Sequence, residues 1–389
     1  DNVPDMTNPT QLVSFGTSGH RGTSVDGTFT DLHVAAITQA ICDGRKQFGA
    51  TGPIFVGQDT HALSQPALVT VLEVLAGNGV TAMVDCDMAF VPTPSVSRAI
   101  IRYNEEHDDK ADGIIITPSH NPPDNGGIKY NTIIGGPADT VVTKWIEMRA
   151  NEYLTAYCES EDFKRISIDN IEPTAQVPYD YKGLYVEELG DVINMEAIKA
   201  AGPKVLVDTL GGSGASYWNA IKERYGLDLT IIHDDYDPTF SFMTYDHDGK
   251  VRMDCSSTYV MASVINRIGE FDLAVGNDPD YDRYGIVVSS GLISANIFLT
   301  LAARYLFTTR GWKNKGVGKT VVCTTMIDKW AADAETPVFE VPVGFKYFSQ
   351  LLFDGAIGIG GEESAGASFL KKDGTVWTTD KDGMIMALL

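Results

Sequence analysis

The sequence predicts an α/β protein made of three similar domains in tandem, each with a mostly parallel sheet that contains one antiparallel strand. Short runs of β-branched residues alternate with segments of helical periodicity, which is typical of βαβ units. One order of elements, β-α-β-α-β-loop-β, also occurs three times along the 389 residues. The spacers between these units are long and unequal, which argues against a short-period solenoid.

The first unit begins at Ile54. Its strands are predicted at IFVGQ, VTAMVDC, GIIITP and IKYN, and its helices at QPALVTVLEVLAGNG and PSVSRAIIRYN. The acidic stretch from about residue 150 to 180 lacks a clear period, which predicts the end of this domain and a linker. We therefore predict a first domain over residues 1–182.

The second and third units begin at Lys204 and Lys319. The second has predicted strands at KVLVDT, LTIIHD, FDLAVGN and YGIVVS, and helices at SYWNAIKERYG and STYVMASVINRIG. The third has predicted strands at TVVCTT, VFEVPV, AIGIG and ASFLKK, and helices at IDKWAADA and FKYFSQLLF. A boundary near Gly291 gives a second domain over residues 183–292 and a third over 293–389.

Composition and charge narrow the class of protein. The net charge of −22 leaves no basic surface for nucleic acid, and it disfavours an anionic membrane surface. The run ISANIFLTLAARYLF is shorter than the roughly 18 apolar residues of a membrane span, so it predicts a buried helix. The N-terminus lacks the order of a signal peptide. Five dispersed cysteines indicate free thiols in a reducing, cytoplasmic setting: Cys42, Cys86, Cys158, Cys255 and Cys323.

The three most unusual loops each follow the third strand of their unit. They lie around Ser119, Asp278 and Glu362. Ligands of parallel α/β sheets bind outside the carboxyl ends of the strands. The sequence therefore predicts that the three loops face one another across one shared cleft.

The loop GNDPDYDRYG is the strongest candidate for a metal site. Asp278, Asp280 and Asp282 alternate on a tight turn, with Arg283 next to the last of them. Three crowded carboxylates repel one another unless a cation neutralises them, and hard oxygen ligands suit Mg²⁺. An EF-hand is excluded because its sixth and twelfth positions would be Arg283 and Ser289.

The other loops leave alternatives open on spacing alone. Ser119 in the proline-containing loop is either a turn residue or a reacting group, and no G-x-S-x-G elbow surrounds it. The glycine-rich turn FGTSGHRG suits an anion, whereas DTLGGSG is a weak phosphate loop. GGEESAG is either an exposed turn or a set of acceptors for sugar hydroxyls.

Five motifs taken together resemble a known family. In chain order they are FGTSGHRG, TPSHNPPDNGGIKYN, GNDPDYDRYGIV, VPVGFKYF and GGEESAGASF. This series resembles the α-D-phosphohexomutase superfamily, in particular its bacterial phosphoglucomutase branch, over nearly the entire chain. The resemblance implies interconversion of glucose 1-phosphate and glucose 6-phosphate through glucose 1,6-bisphosphate. A phosphomannomutase and a non-catalytic sugar-phosphate-binding phosphoprotein are the alternatives.

The resemblance also implies a role for each site residue. Ser119 would carry a phosphoryl group, and Mg²⁺ would be bound by a phosphate oxygen on it together with the carboxylates of Asp278, Asp280 and Asp282. Lys129 and His120 would lie near the transferred proton. The substrate would contact residues of all three units: Arg21, Arg283, Gly344, Lys346, Glu362, Ser364 and Lys372.

One feature of the family is missing from the sequence. Its members carry a fourth domain whose R-x-S-G-T-type loop binds the phosphate that is not being transferred, and no such motif occurs here. The last residues, DKDGMIMALL, form an apolar helical pattern without a stop signal. We therefore expect the fourth domain to be absent from this chain, which would be part of a longer protein.

Overall fold

A six-stranded sheet forms the first unit, in a computed structural model that describes residues 3–157 and 163–389. In chain order its strands are β1 (His20–Thr23), β2 (Ile54–Gln58), β3 (Ala82–Asp85), β4 (Asp112–Ile116), β5 (Asn125–Asn131) and β6 (Gln176–Tyr179). Their order across the sheet is β1-β5-β4-β2-β3-β6, and β5 runs antiparallel to both of its neighbours. The predicted single antiparallel strand is confirmed, while β1 and β6 are additions to the prediction.

The first unit has two helices more than predicted, α1 (Asp31–Gly44) and α4 (Thr140–Tyr157). Its other helices are α2 (Ser64–Gly77) and α3 (Thr93–Glu106). The linker predicted from about residue 150 is therefore wrong at its start, because α4 continues to Tyr157 and β6 later pairs with β3. Ile146, Ala150 and Leu154 give α4 one buried face, which its charged residues obscure in the sequence.

The second unit has a five-stranded sheet. Its strands are β7 (Val205–Asp208), β8 (Leu229–Ile232), β9 (Leu273–Gly276), β10 (Gly285–Val288) and β11 (Gly291–Leu292), in the order β11-β10-β9-β7-β8. Its helices are α5 (Tyr181–Val192), α6 (Met195–Ala201), α7 (Ala215–Tyr225) and α8 (Ala262–Ile265). The boundary predicted after residue 182 falls inside the first turn of α5.

The prediction of one helix at STYVMASVINRIG is mostly wrong. Only α8 and a 3-10 turn at Ile268–Glu270 form within it. Its apolar residues Val260, Met261 and Val264 are buried as predicted, but turns carry much of the backbone between them. The β-branched residues of this stretch disfavour a longer helix.

The third unit has a four-stranded sheet. Its strands are β12 (Gly316–Thr320), β13 (Val338–Val341), β14 (Ile357–Gly361) and β15 (Ala367–Phe369), in the order β13-β12-β14-β15 with β15 antiparallel. Its helices are α9 (Ala295–Arg310), α10 (Met326–Asp333), α11 (Lys346–Phe353) and α12 (Gly383–Leu388). The strand predicted at TVVCTT is wrong, because β12 ends at Thr320 and Val321 and Val322 are each 54% exposed.

The second and third units share one hydrophobic core. It includes Trp218 of α7 and Leu299 and Leu306 of α9, and it is separate from the core of the first unit. The helix predicted to be buried, α9, is half-buried, since Leu301 and Tyr305 face outward. Within the two described ranges, no helix is long and apolar enough to cross a membrane. The four described cysteines are free thiols, and Cys158 lies outside those ranges.

Candidate active site

The structure brings the three predicted loops together. Ser119 follows β4, and its Oγ donates a hydrogen bond of 3.0 Å to Oδ2 of Asp278, which follows β9. The loop after β14 joins them, because Arg283 and Gly366 form an isolated antiparallel bridge. The carboxyl ends of the central strands thus line one cleft, as the sequence predicts.

The loop of Ser119 is buried and held in an uncommon conformation. Ser119 is only 1% exposed and has a φ of 60°, in the left-handed region that favours glycine. Its amide donates to Oγ1 of Thr117 at 2.7 Å. The neighbouring strand approaches closely, since a Cβ added to Gly127 would lie 2.3 Å from the carbonyl oxygen of Thr117. The loop therefore presents the hydroxyl rigidly.

The three aspartates form a buried acidic cluster. Carboxylate oxygens of Asp278, Asp280 and Asp282 lie within 4.8 Å of one another, and all three side chains are almost fully buried. Oδ1 of Asp280 and Oδ1 of Asp282 have no hydrogen-bond partner among the described residues. Burial and the two neighbouring carboxylates raise the pKa of Asp278 well above its usual range. This donor set fits a hard divalent cation, which would satisfy the unpaired oxygens and relieve the repulsion.

Lys129 on β5 ties the cluster to the first unit. Its Nζ lies 2.6 Å from Oδ2 of Asp280 and 3.2 Å from Oδ2 of Asp282. Burial opposes its charge, but the two carboxylates outweigh burial and raise the pKa of Lys129 above its usual value. Thr93 at the start of α3 donates from Oγ1 to the same oxygen of Asp280 at 2.7 Å. Lys129 is therefore a fixed positive charge inside the cleft.

His120 has the opposite electrostatic character. Its Nδ1 lies 3.3 Å from Oγ of Ser119. Burial, followed by the positive charge of Arg283, lowers the pKa of His120 to about 3. The imidazole is therefore neutral at pH 7.

Two arginines flank the loops. The backbone amide of Arg283 donates to Oδ1 of Asp278 at 2.9 Å, while Nη1 lies 3.5 Å from a carboxylate oxygen of Asp254. Nε of Arg283 is buried and has no hydrogen-bond partner within residues 3–157 and 163–389. Arg21 of β1 donates to Oδ1 of Asn121 at 3.4 Å and to Oγ of Ser18 at 3.3 Å. Guanidinium groups with free donors suit a phosphate.

The third unit contributes the loop with Glu362. Its Oε1 accepts a hydrogen bond of 3.0 Å from the amide of Gly344, and burial raises the pKa of Glu362. Gly344 has a φ of 127°, and a Cβ added there would lie 3.6 Å from Thr17 in the glycine-rich turn of the first unit. Ser364 is half-buried on the loop of Glu362, and Lys346 begins α11. These positions place residues of the first and third units at one end of the cleft.

Comparison with known families identifies the chain. Family models described as phosphoglucomutase/phosphomannomutase alpha/beta/alpha domains I, II and III match residues 12–156, 184–291 and 294–389. A phosphoglucomutase from Komagataeibacter xylinus is 49% identical over 391 residues, which cover 99% of this chain and 70% of the relative. The chain belongs to the phosphoglucomutase/phosphomannomutase family.

Other family members are more distant. Phosphoglucomutase 1 of Saccharomyces cerevisiae is 28% identical over 414 residues, which cover 99% of this chain and 68% of that protein. A putative phosphomannomutase from Thermus thermophilus aligns with a TM-score of 0.80 at 24% identity, covering 97% of this chain and 79% of that one. Parafusin from Paramecium gives a TM-score of 0.77 at 21% identity, covering 100% and 70%. At these identities the two solved structures bear on the fold alone.

The expected site residues of the family include one that the structure does not bring to the cleft. The amide of Lys372 donates to the carbonyl of Asp191 at 2.8 Å, and its side chain lines a cavity with Arg310 and Leu388. It lies on a tight turn that ends at Gly374, beyond β15 and away from the three loops.

Another lysine, missed in the sequence, lies in the cleft instead. Nζ of Lys381 is 2.9 Å from Oδ2 of Asp282 and 3.9 Å from Oε2 of Glu362. The signal that could have found it is TTDKDG, where a lysine between two carboxylates precedes an apolar helix. Asp380 and Asp382 are both buried, so Lys381 stands in a fixed segment.

Proposed function

We propose that the protein is a phosphoglucomutase that interconverts α-D-glucose 1-phosphate and D-glucose 6-phosphate. The observation that carries the proposal is the contact of Ser119 Oγ with the acidic cluster at 3.0 Å. A phosphorylated Ser119 would place its phosphate oxygens among unpaired carboxylate oxygens and the free Nε of Arg283. A cation shared by carboxylates and phosphate would make that arrangement favourable.

The cation we propose is Mg²⁺, held by Asp278, Asp280 and Asp282 with a phosphate oxygen on Ser119. When bound, it would neutralise charge on the transferred phosphoryl group. Arg283 would add a positive charge from the side of Asp254. Positioning and charge neutralisation supply most of the catalysis in phosphoryl transfer, and the rigid loop of Ser119 suits that task.

The transfer step would use neutral His120 beside Ser119 and charged Lys129 beside the acidic cluster. The bond between phosphorus and Ser119 Oγ breaks as a bond to a sugar hydroxyl oxygen forms. The proton of that hydroxyl passes to neutral His120, and the charged Lys129 stabilises the negative charge that develops nearby. In the return step the other phosphate of glucose 1,6-bisphosphate is transferred to Ser119 Oγ, and a proton returns to the sugar oxygen.

Recognition of the sugar phosphate would come from both ends of the cleft. Glu362 and Ser364 would accept hydrogen bonds from sugar hydroxyls, with Glu362 oriented by the amide of Gly344 at 3.0 Å. Arg21 and Lys346 would supply positive charge for a phosphate group. Because the family description covers phosphomannomutases as well, mannose 1-phosphate is the second candidate substrate.

Intact mass measurement combined with a mutase assay tests the proposal. The protein is incubated with glucose 1,6-bisphosphate and Mg²⁺, and we expect one added phosphoryl group that maps to Ser119. Glucose 1-phosphate and mannose 1-phosphate are then compared as substrates, and we expect higher kcat/KM for glucose 1-phosphate. Phosphate mapped to another serine, or no phosphate at all, would refute the mechanism. A preference for mannose 1-phosphate would change the substrate assignment only.

A further inference from the structure

Another buried carboxylate, that of Asp59, lies beside the loop of Ser119. It follows the end of β2 and is completely buried. Its Oδ1 accepts from the amide of His61 at 3.0 Å and from Oγ of Ser64 at 2.6 Å. Its Oδ2 accepts from Nδ1 of His61 at 2.8 Å and from Oγ1 of Thr117 at 2.6 Å. Four donors fix this carboxylate in one orientation.

Two arms extend from Asp59 to the chain on either side of Ser119. In the first arm, Oγ1 of Thr117 donates to Asp59 and accepts from the amide of Ser119 at 2.7 Å. In the second arm, His61 bridges from Asp59 to the carbonyl oxygen of Asn121, which lies 3.0 Å from Nε2. Thr117, two positions before Ser119, and Asn121, two positions after it, are thus tied to a single carboxylate. We call Asp59, His61 and Thr117 the Asp59 bracket.

The Asp59 bracket explains how a serine keeps a backbone conformation that it rarely adopts. A φ of 60° is uncommon for a residue with a side chain, so surrounding contacts must hold Ser119 there. If Ser119 returned to an extended φ while Thr117 held its amide, its Oγ would turn away from Asp278 and the chain beyond it would turn away from His61. His61 is itself held from the second unit, because its ring packs against Phe240 with centroids 5.1 Å apart.

We propose that Asp59, His61 and Thr117 are positioning residues that hold Ser119 in its left-handed conformation and aim its Oγ at the metal cluster. They are contributed by the ends of β2 and β4. The catalytic consequence rests on the proposed phosphoglucomutase activity. The conformational consequence does not, since it concerns the backbone of residues 117–121 alone.

A matched pair of substitutions at Thr117 tests the first arm. Thr117→Val keeps the shape of the side chain but leaves the Ser119 amide without its acceptor, whereas Thr117→Ser keeps the hydroxyl. We expect Thr117→Val to lower kcat by about 10- to 100-fold with KM for glucose 1-phosphate within about threefold, as expected for a misaimed nucleophile. Thr117→Ser should stay within about threefold of the wild-type kcat.

Hydrogen–deuterium exchange separates positioning from catalysis. Peptides that cover residues 117–121 should exchange faster in Thr117→Val and in His61→Phe, which keeps the packing on Phe240 but loses both hydrogen bonds of the ring. Peptides from β12 and β14 should exchange as in the wild type.

The kinetic and exchange measurements together decide whether the Asp59 bracket positions Ser119. Wild-type kcat and wild-type exchange in both variants would overturn the proposal. Faster exchange in a protein that shows no mutase activity even as wild type would support the Asp59 bracket and reject the proposed function. A general loss of protection in Thr117→Val would indicate misfolding, and His61→Phe would then decide.

Discussion

Oγ of Ser119 and Oδ2 of Asp278 lie 3.0 Å apart although 159 positions separate the two residues in sequence. Ser119 follows a strand of the first sheet and Asp278 follows a strand of the second, so the contact joins two separately built sheets. A proposed nucleophile and a proposed metal ligand thus meet only through tertiary structure.

Removal of the Ser119 hydroxyl should abolish phosphoryl transfer. We expect Ser119→Ala to lower kcat by about 10³-fold or more, because this hydroxyl is the group that accepts the phosphoryl in the proposed mechanism. A coupled assay measures turnover, and mass spectrometry measures phosphorylation. Ser290→Ala, at an exposed position after β10, is the control and should behave as the wild type. Turnover by Ser119→Ala close to that of the wild type would rule out the proposed phosphoserine.

Neutralising Asp278 should affect stability and metal binding in opposite directions. Without a cation, the three carboxylates repel one another, so Asp278→Asn should raise the free energy of unfolding by about 1 kcal/mol. Added Mg²⁺ should then stabilise the variant less than the wild type. Thermal melts with and without Mg²⁺ measure both effects. Asp87→Asn, in an exposed acidic group, is the matched control; equal Mg²⁺ stabilisation of all three proteins would argue against the site.

Lys381 and Lys372 should respond differently to the same substitution. Lys381→Met leaves Asp282 without one of its buried cationic partners, and we expect kcat/KM to fall by about 10²-fold or more. Lys372→Met should stay within about threefold of the wild type, because the structure places it outside the cleft. Steady-state kinetics decides. A large loss in Lys372→Met alone would favour the family-based assignment of that lysine over the geometry.

The buried imidazole of His20 should make stability depend on pH. Burial, with a smaller effect of nearby His33, lowers the pKa of His20 to about 4 from an ordinary value of 6.5. The unfolded chain therefore binds the proton first, so stability is lost as pH falls from 6.5 and the loss is complete below about 4. At about 1.36 kcal/mol per pKa unit, the full effect is about 3 kcal/mol.

Urea unfolding at several pH values measures this dependence. His20→Gln should show a shallower loss of stability between pH 6.5 and 4 than the wild type. His107→Gln, at an exposed histidine, should keep the wild-type slope. An unchanged slope in His20→Gln would show that other groups carry the acid sensitivity.

Periodicity predicted the three units because the central strands are buried on both faces and read as apolar runs. Periodicity failed where the type of side chain does not match the local backbone structure or the burial of the residue. Val321 and Val322 have strand-forming side chains, yet they follow the last paired residue of β12 and face solvent. The residues of α4 pack one apolar face, but interleaved charges conceal that face in the sequence.

In the candidate site, features set by local spacing could be predicted from the sequence, whereas long-range contacts could not. The spacing of Asp278, Asp280 and Asp282 is local, so the cluster could be predicted from one loop. The local pattern TTDKDG marks Lys381 as a candidate, but its contact with Asp282 could not be predicted, because that contact is long-range. Asp59 is similar, since its bond to Thr117 spans 58 positions.

The separation of the hydrophobic cores has a consequence for how the protein unfolds. Ser119 belongs to a unit with its own core, whereas Asp278 and Glu362 belong to units that share another. We expect the shared core to make the second and third units unfold together, and the first unit to unfold separately from them. Calorimetry should then resolve two unfolding transitions, and phosphorylation of Ser119 with Mg²⁺ present should draw them together. Phosphorylation and cation binding at the reaction centre would in that way couple the unfolding of the first unit to that of the other two.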